Sequence, residues 1–145
     1  LKAVPNIAGI KDSSGNFELF REFMKLNDSE FQVMQGIDKL FLDSFRLGAT
    51  AAISGPSNSI PGNQTAIFEN YVRGELAQAQ EHQDRFMHLK SVIELAPGPT
   101  IAKEAANVAG LHAGPPVAPL RRPEGAVYEK LVQVMNEYFS EYFVK

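Results

Sequence analysis

Apolar positions along the first two thirds of the chain alternate between two rhythms. Short apolar runs are followed by segments in which apolar residues recur every three or four positions, the pattern of strands leading into helices. NIAGIK at 6–11 reads as a strand. SSGNFELFREFMKLND at 13–28 reads as a helix, with Phe17, Phe20, Phe23 and Met24 at helical spacing and Ser13 or Ser14 near its cap. FQVMQG at 31–36 is a second short strand, followed by the helical DKLFLDSFRLG with Leu40, Phe41, Ser44 and Phe45 on one face and Gly48 as C-cap. ATAAISG at 49–55 is a third strand. After the loop PSNSIPGN, a long helical region runs from about 62 to 94, with a break expected at Arg73-Gly74.

Strands alternating with helices of this length imply a parallel sheet with right-handed crossovers. Beyond the third repeat the pattern changes: PGPTIAKEAANVAG reads as a further helix, LHAGPPVAPLRRP as a proline-rich connection, and Pro123 opens a final amphipathic helix, EGAVYEKLVQVMNEYFSEYF. Three parallel strands alone leave two bare edges and want more neighbours. The expectation is therefore the back part of a larger α/β fold, with a compact three-layer domain as the alternative. Residues 1–96 would carry the three strand-helix repeats and 97–145 a helical extension of the same domain.

Composition narrows the function classes. With 145 residues and 44% hydrophobic content the chain is long enough for one packed core. Seventeen acids against fourteen scattered bases give a net charge of −3, which argues against a nucleic-acid partner. No apolar run approaches the roughly 20 residues of a membrane helix, and LKAVPNIAG does not read as a signal peptide. The absence of cysteine removes disulfides, thiolate catalysis and the usual structural zinc sites, and fits a reducing cytoplasm.

The position of Lys11 raises the first chemical question. Alternation along 6–11 puts Ile7, Gly9 and Lys11 on one face and Ala8 and Ile10 on the other, and the glycine leaves space beside the lysine stem. If that face points into a barrel, the amine emerges at the C-terminal end of a strand, where barrel enzymes keep their chemistry. Desolvation there would lower its pKa and leave neutral amine to attack a ketone. The ordinary reading of a lysine at a strand end is a solvated residue, so position alone does not make it catalytic. Asp12 should face the other way and cap the turn or helix. His82, His88 and His112 are too scattered for a metal triad. Tyr71, Tyr128, Tyr138 and Tyr142 fall on expected helices, where aromatic spacing means packing. GPSNSIPGN lacks the lysine-serine ending of a phosphate loop and reads as a rim loop, and PPVAPL as a rigid connector.

GIKDSSGN resembles the Schiff-base lysine motif of the dihydrodipicolinate synthase and N-acetylneuraminate lyase superfamily, class I aldolases built on a (β/α)8 barrel. MQGIDKLFLDSFRLGATAAISGPSN and GLHAGPPVAPLRRP extend the likeness over essentially the whole chain. The resemblance implies strands six to eight and the C-terminal helices of such a barrel. It makes Lys11 the Schiff-base former. It makes Gly36 a residue that gives a bound keto acid room, with backbone groups facing it, and matches Asp38 to a position that in the sialic-acid lyases helps bind the hydroxylated part of the substrate. Ile53 matches the apolar residue beside the pyruvyl unit, and Ser54 is a candidate polar contact. The family's paired hydroxyls and strand-five tyrosine would lie upstream of residue 1. The resemblance further implies a 2-oxo acid and an aldehyde as small-molecule partners, the N-terminal half of the barrel as a missing partner, a homo-oligomer, tetrameric by likeness, and no cofactor or metal.

Departures shape the substrate expectation. Lys39 stands where the sialic-acid lyases carry a glutamate, Ser54-Gly55 reverses their glycine-serine order, and Pro116 replaces an arginine often seen in the synthases. On these grounds a 2-keto-3-deoxy sugar-acid aldolase is favoured slightly over dihydrodipicolinate synthase. A non-catalytic assembly module made from barrel parts is the reading from another class.

Overall fold

In the computed structural model, which describes residues 1–142, β1 (Gly9–Asp12) leads to α1 (Phe17–Met24), and β2 (Gln32–Gln35) to a 3-10 turn at Asp38–Leu40 and α2 (Phe41–Arg46). A second 3-10 turn at Pro56–Asn58 precedes α3 (Pro61–Val72), α4 (Leu76–Ile93), α5 (Gly98–Val108) and α6 (Gly125–Tyr142). Residues 143–145, the end of the expected last helix, lie outside the described residues. The fold is α/β, as the alternating pattern implies. It divides into two compact units, Leu1–Ser54 with Gly62–Asp84, and Gly55–Pro61 with the chain from Arg85 onward.

In the first unit β1 and β2 pair in parallel, with Gly9 opposite Gln32, Lys11 opposite Met34 and Asp12 opposite Gln35. The third expected strand is reduced to a single parallel bridge, Gln35 to Ala52, held by Gln35 N–H to the Ala51 carbonyl (3.3 Å) and Ile53 N–H to the Gln35 carbonyl (2.8 Å). Ala51 and Ala52 offer little side chain to pack on a pleated surface, so the segment forms the least regular of the three. Beneath the sheet Phe20, Phe31, Val33, Phe41, Leu42, Phe45 and Ile67 form one buried cluster, with Phe17, Phe23 and Met24 packed against it. These are the faces the helical spacing marks out, with Leu42 added. Phe45 meets Phe68 edge to face at 5.1 Å, a favourable aromatic geometry.

The cap of α1 differs from the expected serine. Asp12 accepts from the Ser14 amide (2.9 Å) and hydroxyl (3.1 Å), so Ser14 is consumed one turn early, and Asn16 Oδ1 takes the amides of Glu18 and Leu19 instead. The same helix stops at Met24, short of residue 28. Asn27 Oδ1 accepts from Val33 N–H (2.7 Å) and Asp28 Oδ1 from Glu30 and Phe31, which turns the chain into β2. The expected break after Arg73 is present. Gly74 adopts φ +77°, and the amides of Gly74 and Glu75 return to the carbonyls of Tyr71 and Asn70, a paired closure that only a left-handed residue permits cheaply. Gly48 caps α2 in the same manner, as expected.

In the second unit Phe86, Leu89, Val92, Ile101, Leu131, Val134 and Met135 form a separate core. The proline-rich connection lies along α5. Asn107 exchanges two hydrogen bonds with Gly114 (3.0 and 3.1 Å), Lys103 donates to the Ala113 carbonyl (2.9 Å), and buried Glu104 pairs with Arg122 at 3.1 Å. These ties hold the connection on either side of PPVAPL against α5. Helix α6 begins at Gly125, two residues after Pro123, so the proline precedes the helix rather than opening it.

Candidate active site

Because β1, β2 and the Ala52 bridge run parallel, their C-terminal ends lie side by side, with Lys11 among the last two residues of β1 and Gly36, Asp38, Ile53 and Ser54 just beyond the other two ends. One arrangement therefore gathers the residues singled out from sequence. Lys11 leaves the exposed face of β1, while Asp12, its neighbour, is buried on the other side and engaged with Ser14, the opposed facing expected of successive strand residues.

Gly36 lies directly beneath the lysine stem. A Cβ built there would stand 2.4 Å from Lys11 Cε, 2.2 Å from Ser13 Oγ and 2.8 Å from the Asp12 carbonyl oxygen, so no side chain fits. The Gly36 amide, by contrast, is engaged within the protein. It donates to the Asp12 carbonyl (2.7 Å) and to Gln35 Oε1 (2.9 Å).

Gln35 is a residue the sequence pattern hid, since it reads as part of an apolar strand. It is fully buried. Its Oε1 accepts from Gly36 and Ile37 N–H, both at 2.9 Å, and its Nε2 donates to buried Ser44 Oγ (2.9 Å). A single side chain thus holds the backbone that passes under Lys11.

Asp38 is half-buried. Its Oδ1 accepts from Ser54 Oγ and from Gln64 Nε2 (2.6 Å), and its carbonyl accepts from Gln83 Nε2 (3.1 Å). Burial pushes its carboxyl above the usual range, against the hydrogen bonds from Ser54 and Gln64 and the charge of Lys11, which pull it down. Gln64 and Gln83, both buried, were not marked by the sequence. The available signal was an inward polar position on α3, three residues before buried Ile67.

Ile53 is 44% exposed, with its amide given to Gln35. Lys11 is exposed too. The desolvated surroundings expected for it are thus absent among the described residues. Arranged in this way, a primary amine over a glycine, beside a carboxylate and an exposed isoleucine, could bind and attack a small carbonyl compound. Among the described residues no three His, Asp or Glu side chains are grouped to hold a metal ion, and no helix is long and apolar enough to cross a membrane. Tyr138 is buried in the second core and Tyr71 packs on Phe45, in keeping with a packing role.

Residues 1–142 match the model of the dihydrodipicolinate synthetase family. The chain is 32% identical over 132 residues to the 4-hydroxy-tetrahydrodipicolinate synthase of Methanoculleus marisnigri, covering 90% of this chain and 45% of that protein. Among solved structures, dihydrodipicolinate synthase from Bacillus anthracis superposes with a TM-score of 0.86 at 27% identity, covering 93% of this chain and 46% of that one. The synthase from Cyanidioschyzon merolae gives a TM-score of 0.84 at 28% identity, with 93% and 46% covered. The chain spans about half the length of the relatives it matches.

Proposed function

The chain belongs to the dihydrodipicolinate synthetase family, and from that premise we propose that it supplies the lysine nucleophile of a class I, pyruvate-dependent aldolase, as strands six to eight and the C-terminal helices of a (β/α)8 barrel completed by an N-terminal half. In this reading residues 1–96 are barrel and 97–145 its helical extension. Relatives named 4-hydroxy-tetrahydrodipicolinate synthase put the synthase-type condensation first. The slight preference for a sugar-acid aldolase, drawn from Lys39 and Pro116, gives way to it.

The neutral Lys11 amine adds to the keto carbon of the 2-oxo acid, and the carbonyl oxygen leaves as water. The protonated imine then withdraws electrons from the adjacent carbon. Loss of a proton there gives an enamine, which forms the new carbon–carbon bond by attacking the aldehyde carbon. Gly36 gives the keto acid its room, Ile53 flanks its apolar part, and Asp38 with Ser54 meets the incoming aldehyde.

The observation that carries the reading is the passage of the Lys11 stem over Gly36, closer than any side chain there would allow. Borohydride reduction of the complete protein with pyruvate, followed by peptide mapping, should find a stable adduct on Lys11. Absence of an adduct would favour the non-catalytic assembly module.

A further inference from the structure

The hydrogen bonds around Asp38 are directional, and their direction is set from helix α3. Gln64 and Asn63 occupy the first turn of α3 at 7% and 0% exposure. Asn63 Nδ2 donates to Gln64 Oε1 (3.0 Å) and to the His82 carbonyl (3.1 Å). With its oxygen committed to that donor, the Gln64 amide has one orientation left, which turns Nε2 toward Asp38 Oδ1 at 2.6 Å. Ser54 Oγ donates to the same oxygen, so among the described residues both side-chain donors fall on Oδ1, while the backbone N–H of Asp38 itself also bonds the carboxylate. Gln83 fixes the other end of the residue, bonding the Asp38 carbonyl with Nε2 and the Leu42 amide with Oε1.

We propose that Gln64 is a positioning residue: anchored by Asn63, it holds Asp38 Oδ1 so that Oδ2 alone is presented to the second substrate, as an acceptor for an O–H or N–H group. This rests on the aldolase reading for the substrate and on the geometry alone for the hold on Asp38. Gln64 Nε2 also reaches Ser54 Oγ (3.4 Å), so one amide touches both the carboxylate and its serine partner. The glutamine, buried and held at both ends of its amide, can fix the carboxylate. A substrate group bearing negative charge is disfavoured at this point, and a hydrogen-bond donor is favoured.

The test uses the complete protein with Gln64→Leu, which keeps the volume and removes the donor. Near-UV circular dichroism checks the fold. Isotope-edited NMR of the Asp38 carboxyl should show its titration midpoint rise, because a bond favouring the ionised form is lost while burial stays. The aldehyde KM should rise about tenfold, the effect of losing one charge-assisted hydrogen bond, with imine formation from pyruvate alone within about twofold of the parent. Gln64→Glu should restore the parent KM at low pH, where a shared proton remakes the bond, and lose it as both carboxyls ionise. This variant carries the test should Gln64→Leu fail to fold. An Asp38 midpoint unmoved by either variant, or imine formation falling in step with turnover, overturns the proposal. A missing pyruvate adduct in the unaltered protein overturns the aldolase reading instead, and leaves the hold on Asp38 to be judged by its titration.

Discussion

At the scale of single residues, the site combines one reactive group with several that shape the space around it. We expect Lys11→Ala in the complete protein to give no turnover and no borohydride adduct while the fold is kept, because the amine set over Gly36 supplies the covalent route. Lys11→Arg should fail equally, since a guanidinium stays protonated and cannot form an imine. Turnover in either variant would rule out the covalent route. Gly36→Ala acts by crowding. The methyl would press on Lys11 Cε and on the Asp12 carbonyl, and because the latter is backbone it cannot swing aside. A loss of about 1–3 kcal/mol is expected from such overpacking, together with weaker trapping, measurable by denaturant unfolding and adduct yield. Asp38 brings a pH dependence. Its folded pKa is raised by burial above the ordinary 3.8. The native state therefore binds more protons than the unfolded one between those two values, and stability falls as pH rises through that window. Asp38→Asn, which cannot ionise, should gain stability relative to the parent across that window and show no such relative gain below it. Parallel pH profiles for the two proteins would contradict the buried-carboxylate account.

At the scale of elements, the alternation of strands and helices was legible because it depends on apolar spacing, and so were Gly48 and the break at Gly74, which depend on what a glycine alone can do. The third strand was not, since ATAAISG reads as a strand by run length and its weak pairing shows only when the neighbours are present. The serine cap failed for a different reason: Ser14 was claimed by Asp12 two residues before it, a competition between adjacent polar side chains that spacing does not reveal. Lys11, Gly36 and Asp38 could be chosen by resemblance, yet Gln35 and Gln83 could not, because a buried glutamine looks like a surface one until its partners are known, and Gln64 offered only its place three residues before Ile67. Gln35 gives the sharpest test at this scale. Gln35→Leu preserves shape but leaves the Ile37 amide without its partner, the Gly36 amide with only the Asp12 carbonyl, and buried Ser44 without its donor. A cost of about 1–3 kcal/mol per buried unsatisfied group is expected. Hydrogen exchange should quicken at Ile37 before it does in α1 or α2. Uniform loss of protection across all three would mean that Gln35 serves general packing and not the β2 terminus.

At the scale of the whole molecule, the described residues hold a two-stranded parallel sheet with one added bridge, where parallel sheets ordinarily have more strands and cover on both faces. β1 pairs on one side only, so its other edge presents free backbone donors and acceptors, the usual starting point for association between chains. Lys11 and Ile53 are exposed as well, although the proposed chemistry needs them shielded from water. The chain also spans less than half of its synthase relative from Methanoculleus marisnigri. These observations point the same way. Residues 1–145 produced alone should associate or stay loosely packed, and should give little adduct with pyruvate, since water has open access to the Lys11 amine. Supplying the N-terminal half of a family barrel should bring a single species, sharper near-UV circular dichroism and trapping on Lys11 together. The three readouts should move as one, because the same missing strands would pair the β1 edge, cover the apolar face and dry the amine. If the isolated chain proves a monodisperse monomer with sharp tertiary signals that the added half leaves unchanged, the sheet edge needs no partner, and the barrel-completion reading fails.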